Sequence, residues 1–306
     1  MISIDSLVKT YGAVRALDGL SLQVPRGVVY GFLGPNGAGK TTTMRIVSGL
    51  AKADAGTVLV GDIPVRVGGE DHRKLIGVLP EEPAFYGYMT AQEYLADFVA
   101  PLHGIEGKEA KSRARELLER VGLRPAAKRR IQGFSRGMRQ RLGLAAALFH
   151  RPPVLLLDEP VSALDPAGRK EVLDLIEDLR GETTILLSTH ILADVERVCD
   201  VVGIVKAGKL ILQDERAALL ARYAVQVFEV EAEGQWDGWA NTARGLPLVR
   251  EVSIKEKIAR LTVADVAAAQ PAVLRSLSEA GIVVRRFELV HPSLEEIFLR
   301  LTGGEA

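Results

Sequence analysis

Residues 34–41 have a spacing typical of phosphate binding. They read Gly-Pro-Asn-Gly-Ala-Gly-Lys-Thr, which fits the pattern G-x-x-x-x-G-K-[ST]. Glycines let backbone N–H groups turn inward around a phosphate, because no Cβ stands in the way. Lys40 adds a positive charge, and the Thr41 hydroxyl suits Mg²⁺. The candidate phosphate-binding residues are Gly34, Pro35, Asn36, Gly37, Ala38, Gly39, Lys40, Thr41 and Thr42.

Two carboxylates follow an apolar run at 154–157. A parallel strand delivers its C-terminal residues to the ligand crevice, so we expect Asp158 to hold Mg²⁺ there. Glu159 is the candidate general base that polarises an attacking water molecule. The next apolar run, 184–188, leads to His190, which we expect at the same edge, in contact with the terminal phosphate and that water.

Each of these motifs has a plainer interpretation when taken alone. The phosphate loop could be a glycine-rich turn before an ordinary helix, and His190 could be a surface histidine at a strand end. Many buried strands also end in acids. The three motifs together favour a phosphate-hydrolysing site.

The apolar pattern also predicts the elements that position these residues. The runs at 154–157 and 184–188 do not alternate with polar residues, as is typical of parallel strands covered on both faces. Apolar residues at helical spacing predict a helical insert at 90–123. Other strands are predicted at 2–8, 17–24, 27–33, 56–60, 201–205 and 210–212. The predicted fold class is therefore α/β, with a mainly parallel core sheet.

The last third of the chain has a different pattern. Residues 223–231 alternate between apolar and charged, which predicts a half-buried strand. A surface loop is predicted at 234–245, because it carries glycine and asparagine. Further strands are predicted at 248–254, 258–263 and 282–290, with a helix at 264–280. We expect one domain over 1–220, with a helical subdomain at about 82–150, and a small α+β domain over 221–306.

Composition excludes several functional classes. The 306 residues include 39 Lys and Arg and 39 Asp and Glu, so the formal net charge is zero. A general attraction to nucleic acid or to an anionic membrane is therefore not expected. No stretch approaches the ~18 uncharged apolar residues of a membrane span, and the N-terminus does not resemble a secretory signal. The single cysteine, Cys199, favours a reducing cytoplasmic setting.

In order and spacing, these motifs resemble the ATP-binding cassette (ABC) ATPases over residues 1–215. Residues 134–141 are similar to the family's signature motif, and residues 162–165, which include Asp165, to its D-loop. His190 matches the switch histidine, and Tyr11 matches the aromatic residue that stacks on adenine. The resemblance implies a P-loop NTPase cassette with an N-terminal antiparallel β subdomain, and it implies ATP and Mg²⁺ as ligands.

The family's cassettes dimerise head to tail, so that the signature of one chain closes over ATP held by the other. The resemblance implies that Ser135, Arg136, Gly137 and Met138 act in this way. The motif usually reads Leu-Ser-Gly-Gly-Gln, so Arg136 replaces a glycine and Met138 replaces the glutamine. Alternatively, residues 136–141 form only a basic helix or a nucleic-acid patch, although neutral charge and the lack of interleaved aromatics oppose the patch.

A second departure lies at Glu81, where the family's Q-loop normally carries glutamine. A carboxylate there could ligate Mg²⁺, together with Thr41 and Asp158. Alternatively, Glu81 and Glu82 form a solvated loop without a role in metal binding.

Both departures resemble a branch of bacterial exporter ATPases, including drug-resistance types. This resemblance implies an ATP-hydrolysing transporter subunit at the inner face of the plasma membrane. It would act as a homodimer, or with a paralogous ATPase, on separate permease subunits and without nucleic acid. Residues 292–298 resemble the closing motif of that branch's C-terminal regulatory domain, although Ser293 and Glu296 could simply form a capping box. Two alternatives stay open, a soluble ABC ATPase in nucleic-acid maintenance or translation and a nucleotide-dependent regulator.

Overall fold

The computed structural model describes residues 1–162, 164–222, 226–233, 236–290, 294–295 and 297–298. The chain divides into two units, Met1–Arg216 and Ala217–Ala306. Each unit has a hydrophobic core of its own. Ala163 of the D-loop-like motif and the capping-box residues Ser293 and Glu296 lie outside the described residues.

The elements are numbered along the chain. The strands are β1 (Ile2–Tyr11), β2 (Val14–Val24), β3 (Val29–Leu33), β4 (Ala55–Val60), β5 (Ile63–Pro64), β6 (Ile76–Leu79), β7 (Val154–Asp158), β8 (Thr184–Thr189), β9 (Val201–Lys206), β10 (Lys209–Glu215), β11 (Gln226–Glu233), β12 (Val249–Lys255), β13 (Ile258–Val263) and β14 (Val283–Val290). The α-helices are α1 (Lys40–Val47), α2 (Ala91–Glu93), α3 (Ala100–Leu102), α4 (Gly107–Arg120), α5 (Arg136–Ala147), α6 (Pro166–Asp178), α7 (Leu192–Val198), α8 (Arg216–Arg222), α9 (Trp236–Arg244) and α10 (Val266–Glu279).

A six-stranded sheet in the order β10-β9-β3-β8-β7-β6 forms the centre of the first unit. All neighbouring pairs are parallel except β9 and β10, which form a hairpin. Every residue of β3, β7 and β8 is buried, because helices and loops cover both faces of such a sheet. The predicted mainly parallel sheet is confirmed.

A second sheet of the same unit is antiparallel, in the order β2-β1-β4-β5. Its inward side chains, such as Ile4, Leu20 and Val60, are buried and join the core formed by Tyr30 and Phe32 of β3. The predicted N-terminal antiparallel subdomain is therefore confirmed.

The helical insert lies between β6 and β7. It begins with α2, where Thr90 and Glu93 form a capping box, and a π-helical segment (Tyr94–Val99) joins α2 to α3. α4 and α5 then bury apolar residues such as Leu118 and Leu144. The predicted helical insert is confirmed.

The second unit contains a four-stranded antiparallel sheet in the order β12-β13-β11-β14. Its core includes Phe228 and Leu261 from the sheet and Val273 from α10. The surface loop predicted at 234–245 is wrong, because Trp236–Arg244 form α9.

Burial explains why this segment is helical. The buried residues of α9 are spaced three, four and seven residues after the first, as on one helix face; they are Trp236, Trp239, Ala240 and Ala243. The indole Nε1 of Trp239 donates to Ser276 Oγ at 2.9 Å. The apolar spacing therefore outweighs the glycine and asparagine that suggested a loop.

Among the described residues, none of the helices is both long enough and apolar enough to cross a membrane.

Candidate functional site

The phosphate loop connects β3 to α1 at the carboxyl edge of the parallel sheet. Gly37 and Gly39 adopt φ values of 80° and 102°, which side chains other than glycine disfavour. A Cβ on Gly34 would lie 2.5 Å from the Val205 carbonyl oxygen. The path of the loop therefore needs glycine at these positions. The positive end of the α1 dipole points toward the loop.

Lys40 is only 7% exposed. Its Nζ donates to the Gly34 carbonyl at 2.7 Å and lies 3.8 Å from Glu159 Oε1. Burial lowers the pKa of Lys40, and the charges of Glu159, Asp158 and Glu81 oppose that shift. The ammonium is thus held over the loop by a carbonyl oxygen, a partner that a phosphate oxygen can replace.

Asp158 ends β7 and is 5% exposed. It lies opposite Ser188 of β8 in the parallel register, and the Ser188 hydroxyl donates to Asp158 Oδ1. This hydrogen bond orients the carboxylate at the edge of the sheet.

Glu159 is the next residue after Asp158, and its backbone is left-handed, with a φ of 48°. Its N–H donates to the Ser188 carbonyl at 3.0 Å, so β8 holds the turn in place. His190 Nδ1 lies 2.9 Å from Glu159 Oε1. Among the described residues, the buried Oε2 of Glu159 has no hydrogen-bond partner. The structure therefore brings the two acids and His190 together, with one carboxylate oxygen free to accept a proton.

A cleft of about 350 Å³ lies over the phosphate loop. Residues 36–42, Glu81, Glu159 and His190 line it, together with Val14–Ala16 at the start of β2. An adjoining cavity of about 460 Å³ is lined in part by Thr41, Glu81 and Asp158. The three predicted metal ligands thus share one cavity wall.

Tyr11 is the last residue of β1, three residues before Val14, which lines the cleft. Its side chain is 47% exposed. The ring is therefore available to a ligand that extends from the cleft along the start of β2.

The signature-like and D-loop-like residues cap two helices. Ser135 Oγ accepts the Met138 N–H at 3.2 Å at the start of α5, and Asp165 Oδ1 accepts the Gly168 N–H at 3.1 Å at the start of α6. The Arg136 guanidinium forms an ion pair with Glu82, with Nη2 at 3.7 Å from Oε1. Within the described part of the chain, neither motif lines the phosphate cleft of its own chain.

Sequence patterns did not single out Val14, Arg15, Ala16 or Ser188 as site residues. The first three could have been suspected from their position directly after Tyr11 and its glycine turn. Ser188 carries no sequence signal of its own, because its role depends on the register between β7 and β8.

A parallel sheet with a phosphate loop at its carboxyl edge, and paired acids on a nearby strand of that sheet, defines a P-loop nucleoside triphosphatase. Residues 17–162 match the family model described as ABC transporter. Residues 216–302 match the model described as ATP-binding protein DrrA1-3-like, C-terminal domain.

Relatives match the chain over nearly its whole length. The uncharacterized ABC transporter ATP-binding protein YxlF of Bacillus subtilis (strain 168) is 41% identical, over 98% of this chain and 99% of the relative. The daunorubicin resistance ATP-binding protein DrrA3 of Streptomyces coeruleorubidus is 39% identical, over 99% and 96%. The bacitracin transport ATP-binding protein BcrA of Bacillus licheniformis is 36% identical, over 99% and 98%.

A solved structure of an ATP-binding cassette is also similar to this chain. The ATP-binding cassette MJ0796, in a dimeric post-hydrolysis state bound to ADP and Pi, matches with a TM-score of 0.64 and 26% identity, over 70% of this chain and 98% of that chain. The chain belongs to the ABC transporter ATP-binding proteins. It is an ATP-binding ATPase subunit of the ABC transporter type. Nothing in these comparisons supports the nucleic-acid or regulator alternatives.

Proposed function

We propose that this protein drives the export of antibiotic-type molecules through a separate permease, and that it binds at the inner face of the plasma membrane. The names of relatives support this assignment, because they refer to daunorubicin resistance, linearmycin resistance and bacitracin transport. The match of residues 216–302 to the DrrA1-3-like C-terminal domain supports the same branch.

The proposed chemistry is in-line attack of water on the γ-phosphate, catalysed by positioning and charge. Glu159 is the general base, and its buried, unpartnered Oε2 is the oxygen that accepts the proton of the water. His190 holds Oε1 at 2.9 Å and contacts the γ-phosphate from its exposed side. This pairing of Glu159 and His190 above the phosphate loop is the observation that carries the proposal.

Lys40 and the loop N–H groups bind the phosphates in this proposal. Lys40 exchanges its Gly34 carbonyl partner for β- and γ-phosphate oxygens, and α1 stabilises the negative charge with its N-terminus. Tyr11 stacks on the adenine, a contact typically worth about 1–3 kcal/mol for bases on aromatic side chains.

The residues present also fit Mg²⁺. Thr41, Asp158 and Glu81 offer the hard oxygen donors that this ion prefers, and they share one cavity wall. The described residues contain no group of three or more His, Cys, Asp or Glu side chains that could hold a metal ion. When bound, Mg²⁺ would neutralise charge on the β- and γ-phosphates.

The signature residues act in trans in this proposal. Ser135, Arg136, Gly137 and Met138 begin α5, whose N-terminus and backbone N–H groups face the γ-phosphate held by the partner chain. Asp165 of the D-loop caps α6, and we place it at the same dimer interface. Each site is then complete only when two chains close together.

The direct test is Glu159→Gln. The variant should still bind ATP and stabilise the closed dimer, because the amide keeps the shape of the carboxylate. It should hydrolyse ATP about a hundredfold or more slowly, since a general base contributes roughly 10²–10⁴ in rate. ATP binding and phosphate release are measured together.

The matched control is Glu177→Gln on the exposed face of α6, which should leave hydrolysis unchanged. Near-normal turnover of E159Q would remove Glu159 from its role. The transport assignment is tested separately, by co-purification of the tagged chain with a multi-span membrane protein. Tight binding to ribosomes or DNA at physiological salt would instead oppose it.

A further inference from the structure

The end of β1 pairs with β2 on one side, through Tyr11 and Val14, and is held by a carboxylate on the other side. The pairing of β1 with β4 ends at Val8 and Ala55, so the following residues, Lys9 to Tyr11, extend past β4. Asp54 lies at this point, and its own N–H donates to the Val8 carbonyl at 2.9 Å. Its side chain therefore lies beside the last strand residues before Tyr11.

The two oxygens of Asp54 have separate partners. Oδ2 accepts the backbone N–H of Thr10 at 2.6 Å, and Oδ1 accepts from Lys9 Nζ at 2.9 Å. The Lys9 side chain is only 15% exposed. The hydrogen bond from Lys9, reinforced by the N–H of Thr10, lowers the pKa of Asp54 and so favours its charged form.

Lys9 also covers one side of the Tyr11 ring. Its Nζ lies 5.1 Å from the ring centroid, within the range of a cation–π contact. Tyr11 itself is 47% exposed. A cation drawn to one face withdraws electron density from the ring, and the exposed part of the ring remains available to an electron-rich base.

We propose that Asp54 and Lys9 are positioning residues for the nucleotide base, acting through Tyr11: Asp54 fixes Thr10 and Lys9, and Lys9 orients and polarises the ring on which adenine stacks. This inference rests on the adenine role proposed for Tyr11. It adds two residues that touch no part of the nucleotide and still affect base recognition.

The test compares ADP with inorganic tripolyphosphate, a ligand without a base. Lys9→Met should raise the Kd for ADP about two- to fivefold, because a ring that is no longer held by the exposed cation–π contact must be ordered when adenine stacks on it. The Kd for tripolyphosphate should not change, and in ATP hydrolysis KM should rise while kcat stays constant. Lys9→Arg should bind ADP about as well as the wild type, because arginine keeps the positive charge.

Variants of Asp54 separate its two contacts. Asp54→Asn keeps an oxygen for the Thr10 N–H but loses the charge that holds Lys9, and should resemble Lys9→Met. Asp54→Ala loses both contacts and should weaken ADP binding further. Lys52→Met is the matched control, since it removes an equal charge near Asp54, and it should bind ADP normally.

The outcomes distinguish this inference from the role of Tyr11. If Tyr11→Ala weakens ADP binding while the Lys9 and Asp54 variants do not, the inference is overturned and Tyr11 keeps its role. If Tyr11→Ala binds ADP normally, the adenine role fails and the inference with it. Equal weakening of ADP and tripolyphosphate by Lys9→Met would mean that Lys9 acts on phosphates or folding, which also overturns it.

Discussion

At the scale of single residues, the site depends on contacts between side chains that are far apart in sequence. Asp158 and Glu159 could be recognised as a pair because they end an apolar run. Their precise placement could not, since Ser188 both donates its hydroxyl to Asp158 and accepts the Glu159 N–H at its carbonyl. β7 and β8 are buried along their whole length and do not alternate between apolar and polar residues, so their sequence pattern does not fix the register that decides these contacts.

A prediction follows for Ser188→Ala. The substitution leaves Asp158 Oδ1 buried without its donor, so the carboxylate is less well oriented toward a metal ion. Loss of such a supporting partner typically costs about 10- to 100-fold in metal affinity. We expect a higher Mg²⁺ concentration for half-maximal ATP hydrolysis, measured by Mg²⁺ titration at saturating ATP. Ser112→Ala on the exposed face of α4 is the control, and an unshifted titration of S188A would contradict the role of Ser188.

At the scale of elements, sequence reasoning succeeded where apolar patterns were continuous or strongly periodic. The buried strands β7 and β8 and the insert helices were predicted because their patterns admit few alternatives. The sequence does not predict α9 clearly, because the glycine and asparagine at 234–245 favour a loop and only the spacing of Trp236 and Trp239 favours a helix. The helix that packs against α9 and stabilises it, α10, begins about thirty residues further along the chain.

Two histidines that follow α3 and α5 predict how the stability of the protein depends on pH. His103 and His150, which follow these two helices, stack with centroids 4.0 Å apart. Burial, reinforced by His103 and Arg113, lowers the pKa of His150 to about 4, from an ordinary value of 6.5. As pH falls from 6.5 toward 4, the unfolded chain therefore takes up this proton before the folded chain does. Stability is lost across that window.

His150→Gln removes this titration. The loss of unfolding free energy between pH 7 and pH 5 should be smaller in the variant than in the wild type, as measured by urea denaturation at each pH. Between pH 8 and pH 7, above the ordinary pKa of histidine, both proteins should change equally. An identical acid-side loss in both would show that His150 does not contribute.

At the scale of the whole molecule, the proposed head-to-tail dimer, in which each site is shared by two chains, predicts complementation. Lys40→Ala damages the phosphate loop, and Ser135→Ala damages the signature, so each homodimer should hydrolyse ATP poorly. A mixed dimer has one site built from the intact loop of one chain and the intact signature of the other. Mixing the two inactive variants should therefore restore a clear fraction of wild-type hydrolysis.

The same mixture distinguishes action in trans from action in cis. If Ser135 served the phosphate loop of its own chain, both sites of the mixed dimer would be damaged and mixing would restore nothing. Wild-type chain mixed with either variant gives the reference rate. The hydrolysis rate of the mixture therefore shows which chain supplies the signature to each phosphate loop.

Both tryptophans of the chain, Trp236 and Trp239, lie in α9, and both are at least nine-tenths buried in the core of the C-terminal unit. The ATPase unit contains none. Intrinsic tryptophan fluorescence is therefore a built-in optical probe of the smaller unit alone. A change in emission on adding nucleotide would report a signal passing from the cassette to the C-terminal unit, in the unlabelled wild-type protein.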